Sequence, residues 1–258
     1  MRNPITSSLA EEMKKLEITV LASAVLISMT APVANAAIAL DRTRVIFDGS
    51  QKSVSLNIRN DNKQLPYLAQ SWIEDEKGNK IQSPLTVLPP VQRVEPGKQS
   101  QVKIQALPAA KLLPQDRESV YYFNLREIPP KSSKPNTLQI ALQTRVKLFY
   151  RPAGLAIDAK SVPPQEKITL NRLGNRFQVN NPTPYYITIV DAGSTRGGRA
   201  DGFEPLMVPP ESERTLSVSA PALGNSPVLT FVNDYGGRPK LSFSCSGSSC
   251  NVVPDKKG

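Results

Sequence analysis

The chain has 258 residues, 39% of them hydrophobic, which is enough for one large domain or for two domains of ordinary size. Its net charge is +10, but the charges are scattered, which favours a solvated basic surface over a nucleic-acid-binding one. Histidine is absent, which removes the usual general base and imidazole metal ligands and therefore disfavours an enzyme.

The first 36 residues have the pattern of a secretory signal peptide. A basic region that begins at Met13 is followed by an apolar stretch at residues 20–29 and by the A-x-A cleavage pattern at residues 34–36. Cleavage is therefore predicted before Ala37. Met13 is a candidate for the true start, because an acidic pair precedes it. The apolar stretch is too short for a comfortable membrane span, so we expect an exported, soluble protein without a membrane anchor.

Residues 37–152 predict a first all-β domain. Alternating apolar residues and turn motifs indicate about seven strands, the number found in an immunoglobulin-like sandwich. In chain order, the predicted strands cover residues 37–47, 54–58, 68–73, two short stretches on either side of 95–97, then 120–125 and 138–152.

The last of these predicted strands is longer than most strands in globular proteins. Leu138, Ile140 and Leu142 share one face of it with Val146. Because an exposed apolar row on a strand edge is normally an aggregation hazard, the three residues belong either to the core or to a surface offered to a partner. The alternation alone does not decide between these interpretations.

Residues 153–258 predict a second all-β domain. Its predicted strands cover residues 167–170, 176–179, 185–191, 206–208, 215–218, 229–233, 241–245 and 251–253. Cys245 and Cys250 are separated by four residues, a spacing that suits a structural disulfide in an oxidising compartment. A redox motif more commonly has two intervening residues, and a metal site would need more ligands.

Several stretches resemble the periplasmic pilus, or fimbrial, chaperones. The segment LPQDRESVYYFNLREIPP, at residues 113–130, fits the signature of that family throughout. LDRTRVIFDGS, LQIALQTRVKLFYRP and NDYGGRP are also similar, and the resemblance covers nearly the whole mature chain. It implies two immunoglobulin-like β-sandwich domains set at an angle, with an interdomain cleft.

The resemblance also implies a function. Members of the family carry pilin subunits through the periplasm to an outer-membrane usher, with no catalytic residue, no cofactor and no metal. A pilin lacks the last strand of its sandwich, and the chaperone supplies one by β-augmentation. The resemblance gives Leu138, Ile140 and Leu142 the role of the donated row. The same exposed strand would allow weak self-association of the free protein.

Charged residues match two further family features. Arg44 and Lys147 match two cations that anchor the C-terminal carboxylate of the subunit, a task suited to charge-assisted hydrogen bonds. An interdomain salt bridge is matched by Glu118, Arg151 and Asp234. Lys147 and Leu142 have opposite strand parity, so both can serve one ligand only if the strand twists or bulges, or if the ligand wraps around its edge.

Two other classes of protein are compatible with the residues alone. A secreted adhesin or structural module can use the same sandwiches, since fold does not fix function, but it has no need for the pair Arg44 and Lys147. An exported enzyme would need paired carboxylates across a cleft. The best candidates, Asp116 and Glu118, lie two residues apart in one predicted loop.

Overall fold

The computed structural model describes residues 36–158 and 161–254. The predicted signal peptide and the candidate start at Met13 lie outside the described residues. Strands dominate the described part, which also contains one short α-helix, Ala220–Leu223. No helix in this part is long and apolar enough to cross a membrane.

Ten strands build the first domain. They are β1 (Ile38–Leu40), β2 (Arg44–Asp48), β3 (Ser53–Asn60), β4 (Tyr67–Glu74), β5 (Lys80–Ile81), β6 (Leu85–Leu88), β7 (Val91–Val94), β8 (Gln99–Ala106), β9 (Ser119–Ile128) and β10 (Gln143–Arg151). One sheet has the order β1-β3-β8-β6, and the other has the order β2-β10-β9-β4-β5, with β7 also paired to β4. Inward apolar residues of both sheets, such as Phe47, Leu56 and Phe123, form one core. The short strands β5 and β6 are not predicted by the sequence.

The single strand predicted at residues 37–47 is wrong, because the segment forms two strands in different sheets. β1 pairs antiparallel with β3, whereas β2 pairs parallel with β10. Between them, the Asp41 carboxylate pairs with Arg42 and accepts hydrogen bonds from the backbone and side chain of Asn57. The switch between sheets places Arg44 at the start of β2, beside β10.

The strand predicted at residues 138–152 is also shorter than expected. β10 begins at Gln143, and residues 138–142 form no strand in the structure. Within β10 the predicted alternation holds, since Val146 and Leu148 lie in the core. On the opposite face Phe149 is also buried, because its ring packs against Tyr186 of the second domain at 5.7 Å between centroids.

Eight strands build the second domain. They are β11 (Thr169–Leu173), β12 (Arg176–Asn181), β13 (Ile187–Gly193), β14 (Leu206–Val208), β15 (Ser212–Ser219), β16 (Val228–Phe231), β17 (Lys240–Ser246) and β18 (Ser249–Val253). Their order is β14-β13-β16-β17-β18-β11-β12-β15, and the two end strands lie close to each other, so the strands enclose a second core. Each strand overlaps a predicted one, which confirms the all-β class.

Two further features of the second domain are the segment that joins it to the first domain and its cysteine pair. The domain boundary predicted after Pro152 falls between β10 and β11 and stays a prediction. β11 begins later than the predicted residue 167, because Pro164–Lys167 form a 3-10 turn. Cys245 and Cys250 lie opposite each other in the β17–β18 hairpin and form a disulfide. Gly247 accommodates the hairpin turn with a φ of +62°.

Candidate partner-binding site

The apolar row before β10 is exposed. Leu138, Ile140 and Leu142 have 84%, 65% and 41% of their surface accessible, so they lie outside the core of the described domains. Of the two interpretations that the sequence leaves open, the structure therefore favours a surface offered to a partner. Three neighbouring large apolar side chains in water carry an unfavourable hydration free energy, which a partner would remove.

An unpaired strand edge lies next to this row. β9 pairs with β10 from Gln143 onwards, whereas β2 pairs with β10 only along residues 147–151. On the β2 side, no strand of the described chain pairs with residues 143–146. An unpaired edge is a template for an added strand, and such a strand would lie in line with β2.

Arg44 and Lys147 lie side by side where the unpaired edge ends. They are direct partners in the parallel pairing of β2 with β10. Arg44 is buried, donates a hydrogen bond of 2.9 Å from Nη1 to the carbonyl oxygen of Val232, and lies over the ring of Phe149. Lys147 is half-buried. The structure thus brings together two predicted site residues that are far apart in sequence.

The two cations are partly withdrawn from water, and the charge of Arg44 acts unfavourably on Lys147. Neither has a carboxylate within ion-pair distance in the described parts of the chain. Burial lowers the pKa of Lys147, and the positive charges of Arg44 and Arg145 lower it further. Burial also lowers the pKa of Arg44, and the negative charges of Asp234 and Glu118 offset part of this effect. Because the charged forms are disfavoured here, a carboxylate placed between them would relieve the repulsion and accept charge-assisted hydrogen bonds.

Arg151 links the two domains. Its Nε donates to Oε1 of Glu118 at 2.8 Å, and its terminal nitrogens donate to both carboxylate oxygens of Asp234 at 2.7 and 3.1 Å. The second oxygen of Glu118 accepts a 2.8 Å hydrogen bond from the backbone N–H of Tyr186. All three residues of the predicted salt-bridge set therefore meet. Their role in fixing the angle between the domains stays a prediction.

Replacing Arg151 by alanine is expected to destabilise the protein by about 3–5 kcal/mol, because it leaves the buried carboxylate of Glu118 without its counter-ion. Urea unfolding measures this change. Arg93→Ala is the control, since Arg93 forms an exposed pair with Glu95 that is worth at most about 1 kcal/mol. Equal losses for the two variants would contradict a structural role for Arg151.

The carboxylates that were the candidates for an enzyme are not brought together as a catalytic pair. Asp116 forms an exposed ion pair with Arg117, at 2.8 Å. Glu118 is buried, and both of its oxygens are occupied by Arg151 and Tyr186. Neither carboxylate is therefore placed to share a substrate with the other.

The cavity beside Arg44 is lined by both domains, a feature that the residue pattern does not predict. A turn of the second domain contributes Asp234 and Tyr235 to it, and Tyr235 is 95% exposed. Gly236 has a φ of +83°, and a Cβ there would collide with Oγ1 of Thr43. In the sequence, the two adjacent glycines of NDYGGRP are the feature that indicates this close approach of the turn to Thr43.

Two protein-family models match the chain, one in each of its two domains. Residues 37–156 match the model of the pili and flagellar-assembly chaperone, PapD N-terminal domain, and residues 163–243 match the model of the pili assembly chaperone PapD, C-terminal domain. Together these models cover more than half of the chain, which shows its family.

Individual proteins that are similar to this chain are also named as chaperones. The probable fimbrial chaperone YfcS of Escherichia coli K12 is 56% identical over 230 residues, which cover 89% of this chain and 91% of that protein. The chaperone protein PapD of Escherichia coli is 52% identical over 225 residues, which cover 86% and 92%. A chain in the complex of the Salmonella enterica SafA pilin with the SafB chaperone aligns with a TM-score of 0.66 and 26% identity, over 83% of this chain and 99% of that one. The chain therefore belongs to the PapD family of pilus-assembly chaperones, a non-enzymatic family.

Proposed function

We propose that this protein binds pilin subunits in the periplasm by donating a β-strand, caps them, and delivers them to an outer-membrane usher. The observation that supports this most is the unpaired edge of β10, which has an exposed apolar row at one end and a cation pair at the other. These three features match what an incomplete sandwich lacks: a strand, apolar side chains for its groove, and a site for its chain end.

The direction of the added strand follows from the cation pair. β10 runs from residue 143 towards Lys147, so a partner strand whose C-terminus reaches Lys147 must run parallel to β10. Its terminal carboxylate would then lie where β2 begins, at Arg44. This arrangement accounts for the opposite parity of Lys147 and Leu142, because the partner occupies the strand edge and reaches both faces.

The cation pair and the exposed apolar row have complementary tasks in binding a pilin. Complete burial of three large apolar side chains contributes about 5–9 kcal/mol before the costs of ordering are subtracted. That burial needs the correct register, since a slip of one residue would turn the row away from the groove. A carboxylate held by Arg44 and Lys147 fixes one chain end and therefore the register.

The periplasmic location and the usher are part of the same proposal. The predicted signal peptide supports export, and the disulfide between Cys245 and Cys250 suits an oxidising compartment. The usher step rests on membership of the family. In relatives such as SafB, a complex with a pilin is known from a solved structure.

Co-expression with a pilin from the same gene neighbourhood tests the proposal. We expect the pilin to be recovered from the periplasm in a soluble one-to-one complex, and to aggregate or be degraded when the chaperone is omitted. If the amount of soluble pilin does not depend on the chaperone, the hypothesis of an adhesin or structural module would replace this one.

A further inference from the structure

The sheet that contains β10 has a patterned outer face beside the cation pair. Strand register places nine residues of β4, β9 and β10, which point away from the core, in three rows: Glu74, Tyr122 and Lys147; Trp72, Asn124 and Arg145; Gln70, Arg126 and Gln143. Of these, Asn124 is itself fully buried by its neighbours. The first row continues into Lys80 of β5 on one side and Arg44 of β2 on the other. We call these eleven residues the outer face.

The charge of the outer face is strongly one-sided. Its cations are Arg44, Lys80, Arg126, Arg145 and Lys147. Its one carboxylate, Glu74, accepts hydrogen bonds of 2.7 Å from the indole of Trp72 and 3.1 Å from Arg145. The other four cations have no ion-pair partner in residues 36–158 and 161–254. Like charges gathered on one sheet face repel each other, so an oppositely charged partner would stabilise the arrangement.

Aromatic rings of the outer face contact three of these cations. The guanidinium of Arg145 lies 3.5 Å from the ring centroid of Tyr122. The ring of Trp72 has the ammonium of Lys80 at 4.3 Å and the guanidinium of Arg126 at 5.5 Å from its centroid. Such cation–π contacts reduce the motion of long side chains and leave their positive charge facing outward. Lys80, Arg126 and Arg145 therefore each have an aromatic partner within the outer face.

We propose that the outer face is an electrostatic docking surface for acidic side chains on the folded body of the captured pilin. The inference rests on the proposed function, because Arg44 and Lys147, which would hold the end of the added pilin strand, are themselves two of the residues of the outer face. Arg145 is about 7 Å along β10 from Lys147 at the usual rise per residue, so the two act within one Debye length at physiological salt. Charge of this kind raises association rates and selects partners.

The double variant Arg126→Gln, Arg145→Gln tests the proposal. We expect its association with a fluorophore-labelled pilin, followed by stopped flow, to be about tenfold slower than wild type in 20 mM NaCl, and the difference to vanish in 500 mM NaCl. The charge-conserving variant Arg126→Lys, Arg145→Lys is expected to keep the wild-type rate. Arg93→Gln, which removes an exposed charge already paired with Glu95, is expected to change nothing.

Two other outcomes overturn the proposal. The first is an association rate equal to that of wild type for the glutamine double variant in 20 mM NaCl. The second is a slower association rate that stays equally slow in 500 mM NaCl, which would indicate a structural effect of the substitutions. A Lys147→Met variant separates this inference from the proposed function. If Lys147→Met fails to capture the pilin while the glutamine double variant associates normally, only the docking surface is wrong. If Lys147→Met captures the pilin normally, carboxylate anchoring itself is wrong.

Discussion

Replacing Lys147 by methionine is expected to abolish recovery of a soluble pilin and to leave the free chaperone at least as stable as wild type. The lysine ammonium is half-buried beside Arg44 and Arg145, and burial and both neighbours lower its pKa. Folding therefore disfavours the charge, which methionine removes while keeping most of the apolar stem. For binding, loss of one partner of a charge pair costs about 2–5 kcal/mol.

Periplasmic co-purification measures the first effect and urea unfolding of the free variant measures the second. Lys103→Met is the matched control, because Lys103 is exposed on β8 in the opposite sheet. We expect this control to capture the pilin as wild type does. Equal recovery of pilin with Lys147→Met and wild type would show that Lys147 is not the anchor.

The lowered pKa of Lys147 also predicts the response to alkaline pH. Lys147 loses its charge below the ordinary lysine value of 10.5, so affinity for the pilin should fall as the pH rises through this lower value. Between this lower value and 10.5, Lys147 is largely deprotonated in the folded chain but still protonated in the unfolded chain. The contribution of Lys147 to the stability of the free protein therefore rises as the pH rises through this range. A Lys147→Arg variant should keep its affinity to higher pH in the same titration.

Replacing Ile140 by aspartate is expected to prevent capture of the pilin without destabilising the chaperone. Ile140 is 65% exposed, so the free protein loses little, and its unfolding free energy should stay within about 0.5 kcal/mol of wild type. In the complex, the aspartate would have to enter an apolar groove without a counter-ion, which is strongly unfavourable.

Leu112→Asp is the control for the Ile140 variant. Leu112 is 87% exposed in the 3-10 turn Pro108–Leu112, outside the apolar row. The same co-purification should recover pilin with Leu112→Asp and with wild type, but not with Ile140→Asp. Normal capture by Ile140→Asp would contradict the donated row.

The sequence predicts most of the strands because alternation of apolar and polar residues directly reflects which side chains face a core. Val146 and Leu148 illustrate this, since both lie in the core. Alternation does not report what covers the other face. Phe149 is buried only because the second domain packs on it, and the exposure of Ile140 follows only once β10 is known to begin at Gln143.

The candidate site depends on contacts between distant parts of the chain, which explains why the residue pattern alone does not reveal it. Arg44 meets Lys147 only because the chain changes sheets after β1, and the sequence predicts one continuous strand there. Resemblance to the family identifies this cation pair. Neither the residue pattern nor the resemblance predicts the stacking of Arg145 on Tyr122, because this contact depends on the register of β9 with β10.

Amide hydrogen exchange of the chaperone, alone and bound to a pilin, tests strand donation most directly. The backbone of residues 138–142 and the unpaired edge of residues 143–146 should exchange rapidly in the free protein and become protected at alternate amides in the complex. Residues 147–151, which already pair with β2 and β9, should change little. Unchanged exchange along residues 138–146, with protection elsewhere on the chaperone, would contradict strand addition.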